Sequence, residues 1–502
     1  MPYMSIKTYL VGKVEEHLIP SVSSGVTSIP LGTGTVDPTS TWATELPRDF
    51  VIQDGTNSER VTVTDITGSS GSYAATISTA STHAYSAPRA SILTPGYADD
   101  FVSADFNCRL RGVKATPKIT PDGESEKYAT GDHRRDQSIM GAMLGDMEFT
   151  EKFAINLSQG TGAECDITAG SGAITAVAST PTSGHAGTGY RVGDWLIPYG
   201  GTLGIVEVAS VTTNGAIATF NTTPIAGGSG YTTGTGATLT ATYGIPKNDK
   251  FLRAMGHKTV VYPGKGIGYQ PLAEADDVTL QLGLIFVGSG AKPKARMLKF
   301  SGCSGDGSIG ADGVGKPYVL TGKFQGKFVS DADVTYANTL VLTAPESRLP
   351  EKYLSNTVQA TDMLSDTSIQ FHSSKWNLAF GNKIGSVENQ ADPTGYDYFY
   401  ITERDPKLTI DPLLKQVANE DVTSIVKSET LREILVASAL FSPHVTVEAV
   451  NCQLMYPSFD DRGGSVATGR TYRLLGNNID GVAVQPLIPD EAAYEILLGA
   501  RS

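Results

Sequence analysis

Apolar and polar residues alternate along much of this chain with the two-residue period of a half-buried strand. From Met147 to Leu157, the residues Met147, Phe149, Phe153, Ile155 and Leu157 share one face, and Asp146, Glu148, Thr150, Lys152 and Asn156 share the other. The alternation returns at Val278, Leu280, Leu282, Leu284 and Phe286. It returns again at Tyr318, Leu320, Phe324 and Phe328, where Thr321, Lys323, Gln325 and Lys327 point the opposite way. Three long strands with one polar face each predict antiparallel sheets. The run FVIQDGTNSERVTVTDI (50–66) reads as two strands joined around Asp54-Gly55, a favourable turn dipeptide, and LREILVASALF and HVTVEAVNCQLM read as further strands. Helical spacing is rarer. Ile6, Leu10, Val14 and Leu18 fall at four-residue steps that stop at Pro20, which predicts a short helix over 5–18. Asn419–Glu429, with Val422, Ile425 and Val426 on one side, predicts a second helix, and Asp490–Leu498, between Pro489 and Gly499, a third.

The chain has 502 residues, too many for one compact core, and its composition shifts mark several units. Residues 21–97 are rich in Ser, Thr and Gly. Between Gly160 and Gly244 the composition turns to Gly, Thr, Ala and Ser, and a weak repeat appears: Gly172-Ala173-Ile174 returns as Gly215-Ala216-Ile217, and Gly187-Thr188-Gly189-Tyr190 as Gly228-Ser229-Gly230-Tyr231. Two copies are too few for a propeller or solenoid, so the stretch reads as a small β-domain projecting from a surface that tolerates insertion. The map that follows is an N-terminal helix and small β-module over 1–100, a main domain in two parts over 101–159 and 245–502, and an inserted Gly/Thr-rich β-domain over 160–244.

Composition narrows the functions. Charged residues make up 18%, the net charge is −13, and there are 55 glycines, a balance suited to short strands and turns. An acidic chain lacks the clustered Lys and Arg that a tight nucleic-acid grip requires, although DNA can pass such a surface without being held. The cysteines Cys108, Cys165, Cys303 and Cys452 stand far apart with no zinc or redox spacing, which predicts reduced interior residues and no metal or cofactor. The N-terminal segment has no basic stretch followed by an apolar core, and no apolar run approaches the roughly 20 residues that span a bilayer, so a soluble product made in the cytoplasm is expected.

Three candidate chemistries are weaker than their structural readings. Gly310-Ala311-Asp312-Gly313-Val314-Gly315-Lys316 fits most of a phosphate loop, but Pro317 supplies no hydroxyl for magnesium and an alternating strand follows where a helix is required. A glycine-rich loop between strands is the expectation. His133-Arg134-Arg135-Asp136 sits in a hydrophilic run without a second cluster, and reads as a solvated loop or intersubunit salt bridge. The acidic pairs Asp99-Asp100, Asp276-Asp277 and Asp460-Asp461 lack the alternating oxygen ligands of a calcium loop. With no hydrolase or metalloprotease signature, no catalytic site is expected.

Several segments, in order, resemble the tail tube proteins of long-tailed, non-contractile bacteriophages. They are Phe251-Leu252-Arg253-Ala254-Met255-Gly256; Gly266-Ile267-Gly268-Tyr269-Gln270-Pro271; Ser301 to Gly305; Gly315-Lys316-Pro317 leading into LTGKFQGKF; Thr402-Glu403-Arg404-Asp405-Pro406 with Asp411-Pro412; and Asp461-Arg462-Gly463. The resemblance runs over 101–158 and 245–502. It implies an all-β dominated chain built on a β-sandwich tail-tube fold with a flanking helix, with the N-terminal module and the insertion decorating the outside. It further implies a structural virion protein whose homohexameric rings stack into a tube and whose long hairpins line a continuous barrel. The partners implied are other copies of itself, a tape-measure protein, tail-end proteins and phage DNA in transit during ejection. Two other readings stay open: a receptor-binding fibre or baseplate component, suggested by the repeat, and a β-rich polysaccharide-degrading enzyme whose carboxylates come from distant strands.

Overall fold

A computed structural model of the chain describes residues 7–31, 46–93, 108–121, 143–152, 161–241, 249–287, 294–335, 356–389, 395–438 and 444–499, with short breaks inside several of these stretches. Among the described residues are 36 strands and two short helices, so the chain is all-β dominated, as its alternation predicts. No helix among them is long and apolar enough to cross a membrane.

The first strand, β1 (Lys7–Lys13), belongs to the large sheet described below. Six strands then form a separate sheet in the order β2-β7-β4-β5-β6-β3: β2 (Glu16–Leu18), β3 (Ser28–Leu31), β4 (Arg48–Gln53), β5 (Ser58–Ser69), β6 (Ser72–Ile77) and β7 (Ser91–Leu93). Ile29, Phe50, Ile52, Val63 and Ala75 pack in its core. The two strands expected around Asp54-Gly55 are β4 and β5, paired from Gln53↔Ser58 onward; the turn itself lies outside the described residues.

After β8 (Cys108–Arg109), β9 (Thr116–Pro121) and β10 (Met143–Lys152) comes a second separate sheet: β11 (Thr161–Gly170), β12 (Ala173–Val177), β13 (Ala186–Thr188), β14 (Trp195–Pro198), β15 (Thr202–Val211), β16 (Ile217–Phe220), β17 (Ala226–Ser229) and β18 (Gly234–Ala241). Its path is β12-β11-β18-β14-β15-β16, with β13 on β11 and β17 on β15. The end strands close on each other, because Val177 N donates to Thr222 O (2.9 Å) and Phe220 N to Ser179 O (2.8 Å). This small barrel has its own core, including Cys165, Ile174, Leu196, Val206, Val208 and Phe220. The register pairing Glu164 with Thr238 brings Thr161 and Ala241 to the same end of the sheet, so the segment leaves and returns at one place. Replacing 161–241 with a short Gly/Ser linker is therefore expected to leave the main unfolding transition within about 3 °C of the parent, since none of its described residues belongs to the main core. Differential scanning calorimetry checks this, and loss of the main transition opposes it.

The remaining elements are α1 (Asp249–Ala254), β19 (His257–Tyr262), β20 (Gly266–Pro271), β21 (Leu280–Val287), β22 (Lys294–Ala311), β23 (Val319–Thr335), β24 (Asn356–Asp362), β25 (Ser368–Phe371), β26 (Ser373–Ala379), β27 (Asn382–Glu388), β28 (Tyr396–Arg404), β29 (Lys407–Pro412), α2 (Val422–Lys427), β30 (Leu431–Ser438), β31 (His444–Leu454), β32 (Ser458–Arg462), β33 (Ser465–Leu475), β34 (Asn478–Ile479), β35 (Val482–Ala483) and β36 (Tyr494–Gly499). In the large antiparallel sheet, β9-β10-β23-β22-β21-β1-β8 follow one another as neighbours, and β26-β29-β33-β31-β30-β24-β25 form a second run. Strand β22 joins the runs: Ala295–Cys303 pair with β21, and Ser308–Ala311 pair with β26. One apolar cluster serves both, with Met147, Phe149, Leu282 and Phe324 from the first run and Leu378, Ile410, Val447 and Tyr472 from the second. The ribbon β27–β28 and the pair β34–β35 stand as two-stranded sheets.

The structure corrects two helices. Residues 7–13 are strand β1, with Leu10 opposite Leu284, and Glu16–Leu18 are strand β2, not one helix over 5–18. A four-residue step is also twice the strand period, so Ile6, Leu10 and Val14 fit either pattern, and Thr8, Tyr9 and Val11 favour the extended one. Of the helix expected over Asp490–Leu498, residues 490–492 lie outside the described residues and Tyr494–Leu498 belong to strand β36, held between β20 and β31, with Tyr494, Ile496 and Leu498 buried. The helix expected within Asn419–Glu429 is present as α2. Asp421 caps it by accepting from Ser424 N, Val422 and Ile425 are buried, and Glu429 leaves it at φ 52°. Of the three alternating strands, the second departs from a one-sided pattern: Gln281 is buried along with Leu280, Leu282 and Leu284, so β21 is covered on both faces. Val278, Phe153, Ile155 and Leu157 lie outside the described residues.

Candidate functional site

The β22–β23 hairpin has the longest strands among the described residues, 18 and 17 residues. At about 3.3 Å per residue the first spans on the order of 60 Å. Its closed end is the sequence resembling a phosphate loop. Strand β22 runs through Gly310 and Ala311, Lys316 N donates to Gly313 O (3.1 Å), Gly315 takes φ 78°, and β23 follows directly. No helix N-terminus stands there to receive a phosphate, and Val314 is exposed at the tip.

On one side of the hairpin and β10, Met147, Phe149, Leu320 and Phe324 enter the core. The other side is polar. Asp146 accepts from Gln325 Nε2 (3.0 Å) and pairs with Lys323 Nζ (3.3 Å), Ser308 and Thr321 share a hydroxyl hydrogen bond (2.7 Å), and Glu148 and Thr150 are exposed. The described part of this face mixes both signs of charge. Further along, Arg296 Nε donates to Asp331 (2.6 Å), holding that carboxyl below its ordinary range.

Beneath the hairpin three of the resembling segments, 251–256, 301–305 and 402–406, converge. Residues 304–307 pair with β23 on one edge of β22, but on the other edge, between the part paired with β21 and the part paired with β26, they meet no strand, and Phe380 and Asn382 cover the gap. Phe380 N donates to Gly307 O (2.9 Å), Asn382 N to Asp306 Oδ1 (2.9 Å), and Asn382 Nδ2 to both Gly305 O (3.0 Å) and Met255 O (2.8 Å). Arg404, at the end of β28, donates through Nη1 to Gly256 O (2.8 Å) and Leu272 O (2.6 Å). Gly256 turns the chain out of α1 at φ 78°, and a Cβ there would sit 2.3 Å from Arg404 Nη2, so both conformation and space require glycine. Asp405 N bonds Gly381 O (3.0 Å), and the Asp405 carboxylate takes Arg473 (2.9 Å) and Lys407 (2.7 Å), whose hydrogen bonds lower its pKa. Asp411 gathers Ser373 Oγ (3.0 Å) and Lys375 N (2.9 Å).

His257 closes the junction. A carbonyl can only accept, so Nδ1 carries the proton toward Leu252 O (3.1 Å), and Nε2 accepts from Tyr494 Oη (2.8 Å). Its ring lies 4.5 Å from that of Phe380. Burial, reinforced by the Arg404 charge, pushes the imidazole pKa down to about 3. Burial also raises Asp306, against the N–H groups of Asn382, Gly307 and Gly381, and raises the Tyr494 phenol. The unfolded chain therefore binds a proton at His257 below about pH 6.5 that the native chain refuses down to about pH 3. Stability falls as pH is lowered through that window, by up to about 1.4 kcal/mol per pH unit from this group. His257→Gln is expected to flatten the slope, as urea titrations at pH 7, 6 and 5 would read; an unchanged slope would remove His257 from the account.

Other sequence candidates fall elsewhere. His133-Arg134-Arg135-Asp136, Asp99-Asp100 and Asp276-Asp277 lie outside the described residues. Asp460 and Asp461 lie in the edge strand β32, and no group of three or more metal-ligating side chains occurs among the described residues. Cys165, Cys303 and Cys452 are free and buried, the Cys165 thiol pushed up to about 12. Sequence reasoning missed α1 and the pairing of His257 with Tyr494, 237 positions away; a single histidine carries no signal of so distant a partner. Compared with known proteins, the chain matches no family model and no curated sequence.

Proposed function

We propose that this chain is the structural subunit of the tail tube of a long-tailed, non-contractile bacteriophage, working as hexameric rings stacked into a conduit for DNA ejection. The observation that carries the reading is an antiparallel sheet organised on one very long hairpin, apolar toward the core and polar on the other side, with margins left open. Among the described residues of the large sheet, β8, β9, β19, β25 and β32 each pair with a single strand. Unpaired edges of this kind invite pairing with another chain, and closing a ring of copies removes them. The inserted barrel, by contrast, is closed on itself and suits decoration of the outside.

In this reading the polar face of β10, β22 and β23 lines the channel, where exposed Glu148 and mixed neighbours offer passing phosphates no cluster of basic side chains. Six copies carry a formal −78, which adds repulsion at close range, screened beyond about 8 Å. The partners are other copies of the chain, a tape-measure protein, tail-end proteins and DNA in transit. Purified protein is expected to give rings or tubes by negative-stain electron microscopy and sixfold species by sedimentation. A chain that stays monomeric at every concentration would sink the proposal.

A further inference from the structure

The repeat in the inserted segment is a structural duplication. Moving 41 residues along the chain carries Ala163 to Gly204 and Tyr190 to Tyr231, and both pairs make the same bond: the backbone N donates to the tyrosine Oη at 3.2 Å. The same shift carries Thr161↔Thr188 and Ala163↔Ala186 onto Thr202↔Ser229 and Gly204↔Gly227. It also carries the β14·β15 pair Leu196↔Val206 onto the β11·β18 pair Cys165↔Ala237 with the two strands interchanged. Each half thus gives its last strand to the first strand of the other half.

The partner exchange marks a twofold axis. Val177 N bonds Thr222 O while Phe220 N bonds Ser179 O, and each residue of one bond is the counterpart, 43 positions on, of one in the other. The step grows from 41 to 43 at the turns: Ser171-Gly172 joins β11 to β12, whereas the connection from β15 to β16 is longer. At the axis, Pro198 faces Leu239, and 239 − 198 is again 41, so this pair maps onto itself.

We propose that the barrel is two copies of one self-complementary half, and that the partner each half fits is a second copy of itself, including a copy carried by another chain. This concerns residues 161–241 alone and does not rest on the tube reading. A lone half leaves the edge of β14 and the apolar faces of Leu196 and Cys165 uncovered, and the surface of matching shape and register is its own twin.

The test uses the full chain with 201–241 removed, so that Gly200 is followed by Thr242. The remaining halves are expected to pair between chains with position 198 facing position 198. Pro198→Cys in this background is then expected to give a covalent dimer on mild oxidation, because directly opposed antiparallel residues lie within disulfide reach. Leu196→Cys, set opposite Gly200 of the other copy by the register that pairs Leu196 with Ala241, is expected to give none. No covalent dimer at 198, or equal yields at 196 and 198, overturns the proposal. Ring or tube formation through the large sheet changes neither readout. A second variant guards against misfolding of the shortened chain: in the full-length protein the sequences of β11 and β15 are exchanged at the 41-residue offset. Amide-exchange protection of 161–241 is expected to persist, and protection lost as completely as in an exchange displaced by one residue overturns the proposal.

Discussion

Arg404→Ala is expected to destabilise the main domain by about 3–4 kcal/mol, from two charge-assisted hydrogen bonds at roughly 1.5 kcal/mol or more each, plus a partly buried void. The guanidinium bridges Gly256 O and Leu272 O, so its loss leaves the Leu272 carbonyl without that donor and the turn after α1 without its clamp. Arg404→Lys is expected to recover less than half, since an ammonium does not reproduce the planar fork. Gly256→Ala, which places a Cβ 2.3 Å from the guanidinium at φ 78°, is expected to cost a similar amount alone. In the Arg404→Ala background its cost should shrink, because the atom it strikes is gone; urea denaturation of the four proteins in the cycle measures the coupling. Strictly additive losses would show that the two residues do not press on each other. Removing the Arg404 charge also lets the His257 pKa rise, so the fall of stability on acidification becomes shallower.

The strand content was readable because alternation is a local signal: Met147 and Phe149 on one side and Glu148 and Thr150 on the other require no knowledge of partners. The same local signal failed for β1, where a four-residue step serves both periods, and for β36, where Tyr494, Ile496 and Leu498 alternate within a run short enough to pass for a helix end. The junction was half legible. Phe251–Gly256, Ser301–Gly305 and Thr402–Pro406 stood out as segments, but that Arg404 reaches Gly256 and Asn382 reaches Gly305 is a matter of tertiary contact over 148 and 77 positions. That β8, β9, β19, β25 and β32 pair on one side only among the described residues was not legible at all, because a strand's sequence does not state whether it has one neighbour or two. The repeat was visible as one recurring tripeptide and one recurring tetrapeptide, and only the register shows that it closes a barrel.

The largest single loss is expected from Phe324→Ala, on the order of 4–5 kcal/mol, toward the upper end for aromatic truncation in a core. The ring is fully buried and stacks on Phe149 at 5.6 Å and 13°, with Phe251 of α1 tilted against it at 5.9 Å. It also lies over Gly305, where a Cβ would come within 2.5 Å of it, so the backbone of β22 closes the far side and little can move in to fill the space. The three rings come from β10, β23 and α1, and their packing fixes how the hairpin sits on the domain. Phe324→Leu keeps much of the volume and is expected to cost less than half as much. Thermal unfolding should place Phe324→Ala roughly 10 °C or more below the parent, with Phe324→Leu between them. In the tube reading the hairpin carries the ring closure, so Phe324→Ala should also raise the protein concentration at which rings form, by far more than an exposed change such as Thr150→Ala. If Phe324→Ala unfolds early yet assembles at the parent's concentration, the hairpin is not the element through which copies join.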